Sequence, residues 1–250
     1  MSTFKIDLGP ARDARVLVVG IGGLGCPAAL ALVRAGMTHV ILVDDDRVEA
    51  SNLHRQILFG EQHIGQDKLD SAKATLLRRG GTRDSIELVR SRFLPENARA
   101  LARSVDVVVE GADNFATKFL VADACFLEGK PAVHGASIRW NGTAWATAAH
   151  GAPCYRCLFE DVPAGAQQGC SEAGVIGPVP GLIGALMADL ALRVLSADAS
   201  AFGSLLSYDG KRDRMRAVPV AARPDCPLCG RGAITNVEES RYIAPTCSAH

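Results

Sequence analysis

Two short stretches carry the residues for work on a nucleotide. In VLVVGIGGLGCPAALALVRAG (16–36), Gly20, Gly22, Gly23 and Gly25 fall between a strand-like run and a helix-like run. Glycine lets the backbone approach a phosphate and present its N–H groups, and the following helix N-terminus adds positive potential. One strand later, HVILVDDD (39–46) places Asp44 where a carboxylate accepts hydrogen bonds from ribose hydroxyls. Such a turn and acid serve a hydride-carrying dinucleotide as readily as ATP. On these residues alone an NAD(P)- or flavin-dependent oxidoreductase is the default, and a ligand-free βα turn is the plain structural alternative.

The next residues favour ATP. DDRVEASNLHRQILFG (45–60) and GQDKLDSAK (65–73) set Asn52, Arg55, Gln56 and Lys68 within reach of the same site. Arginine offers a planar fork to phosphate oxygens and lysine a point charge, and both stabilise charge that builds up on a polyphosphate. A solvated surface loop explains any one of these residues but not the set. Farther on, DVVVEGADN (106–114) puts Asp113 after an apolar strand and at the opening of a helix. A carboxylate facing a triphosphate calls for a divalent cation between them, and Mg²⁺ there polarises the α-phosphate. A simple helix N-cap is the alternative, and the two roles are compatible.

The eight cysteines divide by context. Cys154-x-x-Cys157 and Cys226-x-x-Cys229 are two knuckles of the kind that build a tetrahedral four-thiolate zinc site, with disulfides or buried free thiols as alternatives. Their separation far exceeds that of a compact zinc ribbon, so such a site pins the later part of the chain back onto the region after the sheet. Cys26 and Cys125 fall on helices and read as packing residues. Cys247 stands in the tail without a role. Cys170 lies in a Gly/Gln-rich loop, QQGCSEAG, where a nucleophile and a plain loop cysteine are equally compatible with the pattern.

These residues need a scaffold, and the chain alternates strand and helix. RVLVVG, HVILVD, SIELVRSRF, DVVVEG and PAVHGAS read as strands, the most apolar of them as buried parallel strands. Helices are expected over Cys26–Ala35, closed by Gly36, over 65–79 with Leu69, Ala72, Leu76 and Leu77 inward, over ENARALAR, and over DNFATKFLVADACFLEG. This predicts an α/β fold: a doubly wound, mostly parallel, Rossmann-like sheet with ligands at the strands' carboxyl ends. NGTAWATAA, LLSYDG and RMRAVPV predict a C-terminal antiparallel extension, and GLIGALMADLALRVL a buried helix interrupted by Asp189 and Arg193. One domain over 1–250 is expected: a nucleotide-binding part over about 15–140, a second part over about 141–230 and a loose tail over 231–250.

The composition bounds the setting. The chain has 250 residues, 48% of them hydrophobic, and a formal net charge of zero, so nothing advertises a nucleic-acid or membrane surface. No apolar run is expected to reach the roughly 18 residues of a membrane span. MSTFKIDLGP lacks a cationic segment followed by an apolar core, so a cytoplasmic protein with reduced thiols is expected.

Taken in order, GIGGLG, Asp44 with SNLHRQ, Lys68 in GQDK, GADN, HGASIRWNG, PCYRCLF, GCSEAGVIGP and CPLCG resemble the E1-like adenylyltransferases that activate ubiquitin-like sulfur carriers in molybdopterin and thiamine synthesis. The resemblance runs from about Arg15 to Gly230 and implies ATP-dependent adenylation of a carrier protein's C-terminal glycine, with release of pyrophosphate. It implies nucleotide contact by Gly22 and Gly23, ribose contact by Asp44, and phosphate contact by Ser51, Asn52, Leu53, His54, Arg55, Gln56 and Lys68. Asp113 with Asn114 would hold Mg²⁺ and the phosphate end, with Asp113, Arg55 and Lys68 as the catalytic set. It further implies zinc on the four knuckle cysteines, a carrier ending in Gly-Gly, a homodimer, and Cys170 as the cysteine for sulfur transfer. No strong base is needed, because the nucleophile is an ionised carboxylate; positioning and electrostatics supply the catalysis.

The pattern departs from the family at one place. Members usually begin with a helix carrying an R-Y-x-R-Q-like motif whose arginine reaches the partner subunit's site. MSTFKIDLGPARDA has no such motif, and Arg12 and Arg15 stand too close to the first strand to replace it. No rhodanese-like domain is expected after Gly230, so sulfur would come from elsewhere. A non-catalytic nucleotide-binding scaffold is therefore a third reading beside adenylyltransferase and oxidoreductase.

Overall fold

The computed structural model describes residues 8–163 and 174–243. One eight-stranded sheet runs β3-β2-β1-β4-β5-β6-β7-β8. β1 (Arg15–Val19), β2 (His39–Val43), β3 (Ile86–Val89), β4 (Val107–Glu110) and β5 (Ala132–Ile138) are parallel to their neighbours in that series. β6 (Asn141–Thr147), β7 (Ser204–Asp209) and β8 (Arg214–Pro219) add the expected antiparallel extension. The chain leaves β1 toward β2 and β3, then crosses back to β4 on the other side. The switch lies between β1 and β4, where an open α/β sheet leaves a crevice at its carboxyl edge.

The continuous apolar runs in β1, β2 and β4 are explained by helices on both faces. Val16, Val18, Val40 and Leu42 pack with α1 (Gly25–Ala35), α2 (Lys68–Arg78) and α6 (Pro178–Leu195). Leu17, Val19, Ile41 and Val108 pack with α3 (Pro95–Arg103) and α4 (Phe115–Leu127) on the other face. Gly36 ends α1 in the left-handed conformation at φ 97°, as its position predicts.

Three expectations are corrected. α6 starts at Pro178, ahead of the run read from the sequence, and its 18 residues are long and apolar enough to cross a membrane by length and composition. One side of it packs on the sheet through Ile183, Met187 and Ala191, which are fully buried. A short α5 (Tyr155–Phe159), not foreseen, is capped by Cys154 and carries Cys157, so it spans the first cysteine pair. The segment after Cys229 is not loose over its described part: Ile234 and Tyr242 are buried. Tyr242 donates its hydroxyl to Asp123 Oδ2 at 3.1 Å. Asp123, on α4, also receives a two-pronged bond from Arg156 at 2.8 and 2.9 Å, so tail, α5 and α4 meet at one buried carboxylate.

Candidate functional site

A cavity of about 780 Å³ opens at the carboxyl ends of the parallel strands. Its floor is the glycine turn. Gly20 leaves β1 at φ 82°, and a Cβ on Gly25 would fall 1.8 Å from the Gly20 carbonyl oxygen, so glycine at these two positions lets α1 start directly over the strand end. Gly22 and Gly23 have a different use. Both line the cavity, and a Cβ on Gly22 would meet nothing nearer than Gln56 Nε2 at 3.9 Å. Their missing side chains leave space where a ligand fits.

Asp44 directly follows β2, with its side chain 8% exposed. One oxygen accepts from Ile21 N–H at 2.7 Å and the other from Asp46 N–H at 2.9 Å. Asp44 therefore ties the glycine turn to the end of β2, and its remaining lone pairs face the cavity it lines. Lys68 opens α2; its ammonium lies 2.7 Å from Asp46 and 4.0 Å from Asp44. Burial pushes the Asp44 carboxyl above the usual carboxylate range, against the pull of Lys68 and of the two N–H groups. Burial opposes the charge on Lys68 as well, but the two carboxylates outweigh it and hold its pKa above the usual value.

Between β2 and α2, the chain brings Ser51, Asn52, His54, Arg55 and Gln56 to the cavity. Ser51 and Asn52 both donate to Glu49 at 3.3 Å, and His54 Nδ1 lies 2.9 Å from the Ser51 carbonyl. The Arg55 stem packs over Gly23, 3.4 Å from where its Cβ would stand. Gln56 is buried, and its Oε1 has no hydrogen-bond partner among the described residues. Leu53 is the exception among the predicted set: it packs against the core and does not line the cavity, because an apolar side chain on this turn is drawn inward.

On the opposite wall stand Asp113 and Asn114. The helix cap is Asn114, whose Oδ1 accepts from Thr117 N–H at 2.9 Å. Asp113 is exposed and has no hydrogen bond or ion pair among the described residues. The capping alternative for Asp113 is thereby removed, and its carboxylate is available to a ligand. Sequence reasoning missed Arg92 and Phe93, which line the cavity just beyond β3, and Ser137 near the end of β5. The rule that ligands sit at strand carboxyl ends applies to each and could have found them. Arg12 and Arg15 bond at the other end of the strands, to the carbonyls of Gly36 and Ser104, and do not line the cavity. Cys170 lies outside the described residues.

The knuckle cysteines converge. Cys154 Sγ is 4.0 Å from Cys157 Sγ and 3.5 Å from Cys226 Sγ, and Cys157 and Cys229 are 3.3 Å apart. Four sulfurs at about 2.3 Å from a tetrahedral zinc stand roughly 3.8 Å from each other, so the cluster has the dimensions of a zinc site and excludes the disulfide alternative. Burial would raise the Cys226 thiol, but N–H groups of Cys229 and Leu228 outweigh it and bring it down to about 7. Cys26 and Cys125 are buried packing residues, as read; burial pushes the Cys26 thiol up to about 12. Asp113 belongs to no cluster of three metal-type ligands among the described residues, whereas Asp44, Asp45 and Asp46 form one.

Known proteins agree with this arrangement. The ThiF family matches residues 7–228. The SAMP-activating enzyme E1 of Haloferax volcanii is 40% identical over 238 residues, 94% of this chain and 87% of that protein. The sulfur carrier protein adenylyltransferase of Thermus thermophilus is 42% identical, over 88% of this chain and 83% of its own. The adenylyltransferase and sulfurtransferase MOCS3 of Sus scrofa is 40% identical over 90% of this chain, which spans 50% of that longer relative. Among solved structures, that of E. coli MccB with ATP superposes with a TM-score of 0.76 at 20% identity, covering 88% of this chain and 68% of that one, a likeness of fold.

Proposed function

Because this chain belongs to the ThiF family, we propose that it adenylates the C-terminal glycine of a small ubiquitin-like sulfur-carrier protein, using ATP and releasing pyrophosphate. The observation that carries this reading is the convergence on one cavity of the open glycine turn, the cations Arg55 and Lys68, and an Asp113 carboxylate with no partner among the described residues. The volume suits a nucleotide, since small-molecule sites span about 300–1,000 Å³. The carrier's carboxylate oxygen attacks the α-phosphorus, the bond from that phosphorus to the bridging oxygen breaks, and pyrophosphate leaves with the electron pair. Arg55 and Lys68 meet the charge on the departing phosphates, with Lys68 exchanging its contact to Asp46 for one to the ligand. Asp44 orients the ribose while holding the turn. No residue has to remove a proton.

Asp113 is the residue that would hold Mg²⁺, and the ion, when bound, lowers the charge repulsion at the phosphates. A single protein carboxylate suits an ion that keeps waters and phosphate oxygens as its other ligands. Zinc on Cys154, Cys157, Cys226 and Cys229 would have a structural part, since the protein itself would supply four thiolate ligands. The carrier's Gly-Gly ending, pairing of two copies, and a cytoplasmic setting belong to the same reading. Cys170 would be the nucleophile for later sulfur transfer.

Cations on the cavity would also meet the phosphates of a dinucleotide, but no observation favours hydride transfer over adenylation. ATP–pyrophosphate exchange that depends on a co-encoded small protein ending in Gly-Gly tests the proposal. Binding of ATP without exchange would leave a scaffold, and binding of NADH in place of ATP would restore the oxidoreductase. Cys170→Ser is expected to keep exchange and, in a separate assay of thiocarboxylate formed on the carrier, to lose sulfur loading.

A further inference from the structure

Outside the phosphate-facing set, one buried group of charges stands against the same cavity. Glu110 closes β4 with no exposure, and Lys118, one turn into α4, is nearly as buried. Lys118 Nζ donates to both Glu110 oxygens, at 3.1 and 3.0 Å, and to the Gly135 carbonyl on β5 at 2.5 Å, which uses all three of its N–H bonds. Glu110 Oε1 also accepts from Ala112 N–H at 2.7 Å. An apolar pair of similar volume would serve stability at least as well as a buried ion pair, so stability alone does not account for these charges.

Their placement does. Among the described residues Asp113 has no side-chain partner, so its aim is set by the backbone on either side. After it, Asn114 caps α4. Before it, Gly111 N–H is held by the Val19 carbonyl and Ala112 N–H by Glu110. Lys118 joins that clamp to β5, whose next residues Ala136 and Ser137 line the cavity. We propose that Glu110 and Lys118 are the positioning pair of this site: they fix the 111–114 turn so that Asp113 faces the nucleotide. The proposal rests on the adenylation reading for its effect on turnover, but not for its effect on the turn.

The test is the charge-free double variant Glu110→Gln/Lys118→Met in the full chain, which leaves no unpaired charge buried; Glu110→Gln/Lys118→Gln, equally free of charge, replaces it if the first does not fold. The expected result is a kcat for ATP–pyrophosphate exchange lower by roughly tenfold to a hundredfold, the scale of a misplaced reacting group, with the KM for the carrier unchanged. In the ligand-free protein, amide exchange over residues 111–114 is expected to speed up while the rest of the sheet stays protected. A folded variant with wild-type kcat, or with unchanged amide exchange over that turn, overturns the proposal. Wild-type protein that shows no exchange activity, but whose turn loosens in the variant, counts against adenylation and for the positioning pair.

Discussion

At the scale of the residue, the site separates groups held by the protein from groups left to the ligand. Asp113 is of the second kind, so Asp113→Ala is expected to cost stability no more than about 0.5 kcal/mol, as at other exposed positions. Exchange activity is expected to fall on the order of 10²–10³-fold, the scale of a lost electrostatic contact to a transition state. Thermal melting and pyrophosphate exchange on one preparation check both halves. The sequence alone could not tell Asp113 from Asn114 as the cap, because both residue types cap well; the hydrogen bond to Thr117 decides it. His134 does not line the cavity and is held by burial alone. It is fully buried on β5, its Nδ1 3.5 Å from Glu110 without aligning for a hydrogen bond. Burial lowers its pKa from 6.5, more than Glu110 raises it, and Lys118 adds to the lowering. Below pH 6.5 the unfolded chain therefore takes a proton that the folded one refuses, and stability falls as pH drops. His134→Gln removes that loss, so its melting temperature relative to wild type should rise between pH 8 and pH 5.5; a constant difference would refute this.

At the scale of the element, the parallel half was legible because each strand is a continuous apolar run and each helix a striped one, signals that are local. The glycine turn was legible as a unit, but its glycines are not equivalent. Gly25→Ala forces a Cβ onto the Gly20 carbonyl and is expected to destabilise by at least about 1–3 kcal/mol, the usual range for overpacking. Gly22→Ala has room within the protein and is expected to leave the melting temperature alone while weakening ATP binding. A thermal melt and an ATP titration on both variants distinguish the two. What stayed hidden were elements defined by distant partners. α5 has only five residues, too few for periodicity to reveal. Glu110 read as the end of an apolar strand, and nothing in its neighbourhood named Lys118 across a turn. The tail's polar composition concealed Ile234 and Tyr242, whose burial depends on α4 and the cysteine cluster.

At the scale of the molecule, two features join parts far apart in the chain. The cysteine cluster is expected to hold one zinc per chain, measurable by elemental analysis of freshly reduced protein. Its removal by a chelator should lower the melting temperature, because the zinc site gathers α5, the end of α4 and residues 226–234. α6 is the second. Less than half of this apolar helix is buried, and Leu182 remains 38% exposed on the side away from the sheet. If the proposed pairing of two copies uses that side, light scattering at micromolar concentration is expected to return twice the mass of one chain and Leu182→Asp to return one; a monomeric wild-type protein would refute the pairing.

With metal bound, the cysteine cluster also changes what tension along the chain can reach. Its two pairs are joined across 72 positions, and the segment between them contains α6, β7 and β8. A pull applied outside that segment on both sides would pass through the metal–sulfur bonds and leave those elements slack. Stretched singly, the metal-bound protein should extend about 250 Å less than the stripped one, the contour of roughly 70 residues at up to ~3.6 Å each. A cellular unfolding machine gripping Tyr242 would meet the same short circuit: it would peel off the tail first, then stall on the thiolates before any force reached β8.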